Sequence, residues 1–113
     1  MANNFVNKKV DLTTTNATTL YTVPDATTAI VKSILVSDDS GSGSTITITV
    51  TTPLEAVFSV AYLKTISANT PTEILTNPLV AETGEIIKVA AANANRVHVI
   101  LSAMQVTPRT VTT

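Results

Sequence analysis

No cysteine occurs in these 113 residues, which excludes disulfides, thiolate metal sites and a cysteine nucleophile, and leaves the redox compartment unread. Histidine is nearly absent as well. His98 is the only one, too few for an imidazole zinc site, which usually takes three or four nitrogen or sulfur ligands. Charged residues make up 13% and balance to −1, so neither nucleic acid nor an anionic membrane surface is an expected partner. Four aromatics, Phe5, Tyr21, Phe58 and Tyr62, are few for a carbohydrate-binding face. No apolar run approaches the ~18 residues of a membrane helix. The opening MANNFVNKKV offers no apolar h-region, which makes synthesis and folding in the cytoplasm the expectation.

What the chain has instead is threonine, 22 of them, with valine and isoleucine outweighing the good helix formers. β-branched residues suit a pleated, half-buried surface, and the composition therefore points to an all-β domain. The length fits one domain over residues 1–113, with short arms at 1–7 and 107–113 that lack a core-forming period. The period-2 segments then follow in order. Residues 8–12 suggest an edge strand. A short run, 20–23, is stopped by Pro24, which fixes φ and cannot donate to a ladder. A longer run, 27–37, places Ala29, Val31, Ser33 and Leu35 on one face and Ile30, Lys32, Ile34 and Val36 on the other. DDSGSG (38–43) is the strongest loop signal, and STITITVTT after it reads as the hairpin partner of the preceding strand.

Pro53 stops that strand. EAVFSVAYLKTI (55–66) is long enough for a helix, but its Phe, Val, Tyr and Ile favour strand, with Val57, Ala61 and Leu63 opposite Phe58, Val60, Tyr62 and Ile66. Short strand signals at 72–75 and 79–81 precede a hairpin-like ETGE turn, a strand at 85–90 and the turn AANAN. The last strand, 96–106, sets Val97, Val99, Leu101 and Ala103 against His98, Ile100, Ser102 and Met104. About eight strands spaced by turn signals predict an antiparallel β-sandwich, jelly-roll-like, with Val31, Leu35, Ile46, Ile48, Val50, Val99 and Leu101 inward.

Chemistry is hard to find in this pattern. His98 stands on a strand between two valines, and no Gly-x-Ser-x-Gly elbow accompanies it. The loop Asp38-Asp39-Ser40 lacks the alternate acids and distant glutamate of a calcium loop, and Gly41-Ser42-Gly43 lacks the Lys-Ser/Thr of a phosphate loop. Glu55, Glu73, Glu82 and Glu85 lie at strand ends and turns, where surface charge is ordinary. The reading is of no enzyme, and of no cofactor or metal.

The stretch LYTVPDATTAIVKSILV carries Leu20 to Pro24 followed by Thr28 to Ile34, and ETGEIIKV at 82–89 is followed by an asparagine-rich turn and a closing alternating strand. Both elements resemble small β-sandwich virion structural proteins of tailed bacteriophages, and together they frame most of the chain. The resemblance implies a location in the virion and a structural role: a capsid decoration (cement) protein stabilising the head shell, or else a tail, neck or fibre adaptor. It also implies partners among the major capsid and other virion proteins, and packing as a homotrimer. A receptor- or glycan-binding head is the alternative from another class, and it would call for exposed aromatics or a charged cleft.

Apolar residues on both faces of three long strands add an expectation of self-association. The candidates for a subunit interface are Ile30, Ile34 and Val36, then Phe58, Val60 and Tyr62, then Ile100 and Met104. The pattern leaves open which face of each strand is the inner one.

Overall fold

The structure, a computed structural model, describes residues 2–107. Among them there is no helix. Nine strands form: β1 (Ala2–Asp11), β2 (Thr18–Thr22), β3 (Thr28–Asp38), β4 (Ser44–Thr51), β5 (Val57–Ile66), β6 (Pro71–Glu73), β7 (Leu79–Ala81), β8 (Ile86–Ala91) and β9 (Val97–Thr107). One sheet runs β1-β9-β3-β6, with β7 also on β3, and the other runs β2-β8-β4-β5. Every pairing is antiparallel. The two sheets close as a β-sandwich, with β1 meeting β2 along one side and β3 reaching β5 along the other.

The inner faces are the apolar halves of the period-2 strands. Val97, Val99 and Leu101 of β9 are fully buried, as are Ile46 and Ile48 of β4 across from them, while the threonines of β4 point outward and are half-buried. Tyr21 is also inside. Its phenol oxygen accepts a hydrogen bond from Gln105 Nε2 at 2.6 Å, which satisfies the one polar atom that burial would otherwise strand.

Strand β3 departs from simple alternation. Its register on β9 shifts between Val31 and Ser33, leaving Lys32 as the extra residue of a bulge. One inserted residue moves everything beyond it to the opposite face. Ala29 and Val31 therefore point inward, but so do Ile34 and Val36, both with no exposed surface, while Leu35 is half-buried on the other side. This corrects the expectation for three residues: Leu35 is not an inner residue, and Ile34 and Val36 lie in the core, where no partner subunit can reach them.

The bulge is held by a side chain. The carboxylate of Glu73 accepts from Ile34 N at 2.9 Å, from Leu75 N at 3.2 Å and from Ser33 Oγ. It supplies acceptors where the ladder is broken. On the same side, β6 pairs with Leu35–Ser37 and β7 with Ala29–Val31, so the edge of the sheet is one strand interrupted opposite the bulge.

Residues 2–7, expected as an arm, are the first part of β1 and pair with β9 from Val106 and Thr107 back to Ser102. The C-terminal arm lies outside the described residues except for Thr107. The expected hairpin of β3 and β4 is also absent. The two strands belong to different sheets, and the glycine loop carries the chain across the sandwich. The ETGE and AANAN turns cross in the same way. Of the strands adjacent in the chain, only β4 and β5 pair with each other.

Candidate assembly surface

Loop 39–43 is built around Asp38, whose side chain is buried. Its Oδ1 accepts from Ser40 Oγ at 2.6 Å and Ser40 N at 3.1 Å, and its Oδ2 accepts from Gly43 N at 2.9 Å. The Ser40 hydroxyl chiefly, with the Gly43, Ser40 and Asn69 amides, holds the carboxyl down from 3.8 to about 2, against the opposing effect of burial. Gly43 has φ 73°, and a Cβ there would stand 3.0 Å from the Ile66 carbonyl oxygen. Arg96 Nη1 donates to the Gly43 carbonyl at 3.2 Å, tying the loop to the start of β9. This is a structural knot.

His98 lies beside it on the outer face of β9, opposite Asp11 on β1 and Ser37 on β3. Its Nε2 is 3.1 Å from Asp11 Oδ1 and its Nδ1 is 3.6 Å from Asp39 Oδ2. Both ring nitrogens thus face carboxylates of exposed aspartates. Two hollows, about 300 and 290 Å³, are open depressions on the outer face of the five-stranded sheet.

What the surface does carry is apolar area in two places. Directly paired residues share a face. The pairs Phe5 with Met104, Met104 with Ile30, and Ile30 with Val80 thus set an apolar row across β1, β9, β3 and β7 on the outer face of the five-stranded sheet. Ile100 and Leu35 form a second, shorter row between Lys9 and Glu73. Ile30, Ile100 and Met104 from the sequence candidates are therefore outward and half-buried.

The second place is β5, the free edge of the four-stranded sheet. Leu54, Val57, Phe58, Tyr62 and Leu63 fall in ten consecutive positions and are all exposed, Leu54 at 92% and Tyr62 at 72%. Val60 is half-buried against the core. Two irregularities shape the strand. Between Lys64 and Ala61, β5 sets three steps against two on β4, and between Ala61 and Ser59 it sets two against one. Leu63 sits at φ 49°, an uncommon conformation for a bulky residue, with its amide donating to Thr47 Oγ1 at 3.1 Å. Phe58 pairs with the inner residue Val50 and yet is 62% exposed. The other sheet has the two three-residue strands β6 and β7 along its edge on β3.

Of the eight candidates, the structure gathers Phe58, Val60 and Tyr62 on one edge strand and Ile30, Ile100 and Met104 on one sheet face. It removes Ile34 and Val36. Sequence reasoning missed Phe5, Leu54 and Val80, while Val57 and Leu63 belong to the opposite face of the same segment, which it had left open as the exposed one. Phe5 could have been found by extending the alternation of residues 8–12 backwards, since Phe5, Asn7 and Lys9 share a face.

The fold and this surface define an antiparallel β-sandwich with an uncovered apolar edge. No family model matches the chain, and no curated protein matches it. Among solved structures, the chain is similar to one described as a Cyanophage Pam1 capsid asymmetric unit, at 19% identity and a TM-score of 0.48, over 94% of this chain and 85% of that one.

Proposed function

We propose that the protein is a structural subunit of a bacteriophage virion, a capsid decoration (cement) protein whose apolar surface is covered by its own copies and by the shell it stabilises. The observation that carries this reading is the run of exposed large apolar side chains on β5. Patches of that kind on a soluble protein mark association surfaces. The sequence resemblance supplies the setting. The residues that carry it, Leu20 to Pro24 and Thr28 to Ile34, form β2, its following turn and the bulged strand β3.

The strand orders β1-β9-β3-β6 and β2-β8-β4-β5 favour reading the sandwich as a jelly roll, in which the first strand neighbours the last and the second neighbours the last but one. On this reading the role is structural and not catalytic, without cofactor, metal, nucleic acid or membrane. Proteomics of purified particles and heating of particles with and without the protein test it. The expected result is that the protein copurifies at high copy number and that particles lacking it lose integrity at a lower temperature. Unchanged heat stability of depleted particles removes the cement role. Absence from particles removes the virion reading altogether.

A further inference from the structure

We propose that β5 is a self-recognition surface, on which a second copy of this chain docks antiparallel about a twofold axis. Opposite charges flank the part of the patch on β5: Glu55 stands two residues before Val57, Lys64 follows Leu63, and neither has an ion-pair partner among the described residues. An antiparallel copy brings Glu55 of one protomer to Lys64 of the other, twice by symmetry, while a parallel copy would set like charges together. The same antiparallel arrangement brings Val57 and Phe58 of one copy towards Ala61 and Tyr62 of the other, with Ser59 as the polar residue at its centre. A different partner would need its own matching acid and base at this spacing; a second copy brings them by symmetry.

The exposed side chains of residues 54–63 offer roughly 600 Å² per copy, divided between the two faces of the edge because Val57 pairs with outward Thr51 and Phe58 with inner Val50, against ~800 Å² per partner in a standard interface. The contact is side chain on side chain. The two irregularities in β5 interrupt the free edge, and interruptions of that kind block a continued ladder. The inference rests on the assembly reading in using the same surface, and it takes a twofold contact in place of the trimer that the resemblance implies.

Sedimentation equilibrium of the purified protein at micromolar concentration tests it, alongside circular dichroism as a control for folding. Wild type is expected to dimerise. Glu55→Lys and Lys64→Glu alone should each weaken the dimer by roughly tenfold or more, since each makes both charge pairs repulsive. An equimolar mixture of these two variants should dimerise about as tightly as wild type. One variant then carries lysine at both positions and the other glutamate at both, so each pair is attractive again. Tyr62→Glu should give a folded monomer. A wild-type monomer, a trimer, or a mixture no tighter than the single variants would overturn the proposal. A monomer that is nonetheless found on particles would leave the virion reading standing, and a dimer absent from particles would do the reverse.

Discussion

Asp38 shows how much one buried carboxylate organises in this chain. A β3–β4 loop with two glycines has many conformations open to it, and the hydrogen bonds from Ser40 and Gly43 select one. Because the folded pKa is lowered to about 2, the carboxylate adds stability that is fully present above the usual 3.8 and is lost as pH falls from there through about 2. Asp38→Asn should therefore lower the melting temperature at neutral pH, and the gap to wild type should close between about pH 4 and pH 2. A gap that stays constant across that window would contradict the assignment. Glu73 has a comparable role at the β3 bulge. Removing its carboxylate with Glu73→Ala leaves the Ile34 amide without that acceptor and should cost about 1–3 kcal/mol by urea unfolding, with Glu73→Gln in between. An Ala variant as stable as wild type would mean that the bulge does not need the carboxylate.

At the scale of elements, alternation located the strands well and assigned their faces less well. β4 and β9 are continuous and were legible throughout, down to Ile46, Ile48, Val99 and Leu101 as inner residues. β3 was legible only as far as Val31, because a bulge is a change of phase with no residue type of its own, and Lys32 looks like any outward lysine. The same limit on β5 left open which of its two faces is exposed, and its irregularities leave apolar residues of both bare. Turn chemistry was legible as turns but not as connections. A glycine-rich loop after a strand suits a hairpin and a sheet crossing equally, and only burial of both strands against each other decides between them.

The face assignment of β3 is directly testable. Ile34→Ala should destabilise by about 2–5 kcal/mol, and Leu35→Ala by about 1 kcal/mol or less. Equal or reversed values in chemical unfolding would mean that the bulge is misplaced. Of the candidate surface, Phe58 and Tyr62 were readable as apolar residues in excess. Their exposure goes with the place of β5 at the end of its sheet and with its two irregularities, which no pattern within β5 announces.

For the whole molecule, the topology has a kinetic consequence and an assembly consequence. All pairings but β4 with β5 join strands distant in the chain, and β1 must wait for β9. Loop closure of that length precedes any reward from contact, so refolding after dilution from denaturant should take milliseconds to seconds or longer. A microsecond phase carrying the full amplitude would contradict that order of events.

The assembly consequence is that the sandwich is complete in its core but not along β5, which presents apolar side chains where a free-standing domain would present polar ones. A reconstruction of the intact particle by electron cryomicroscopy tests this most directly. On the proposed function, density for the sandwich is expected on the shell surface, with residues 54–63 covered by neighbouring protein. No density for the chain, or a bound chain whose β5 faces solvent, would contradict it.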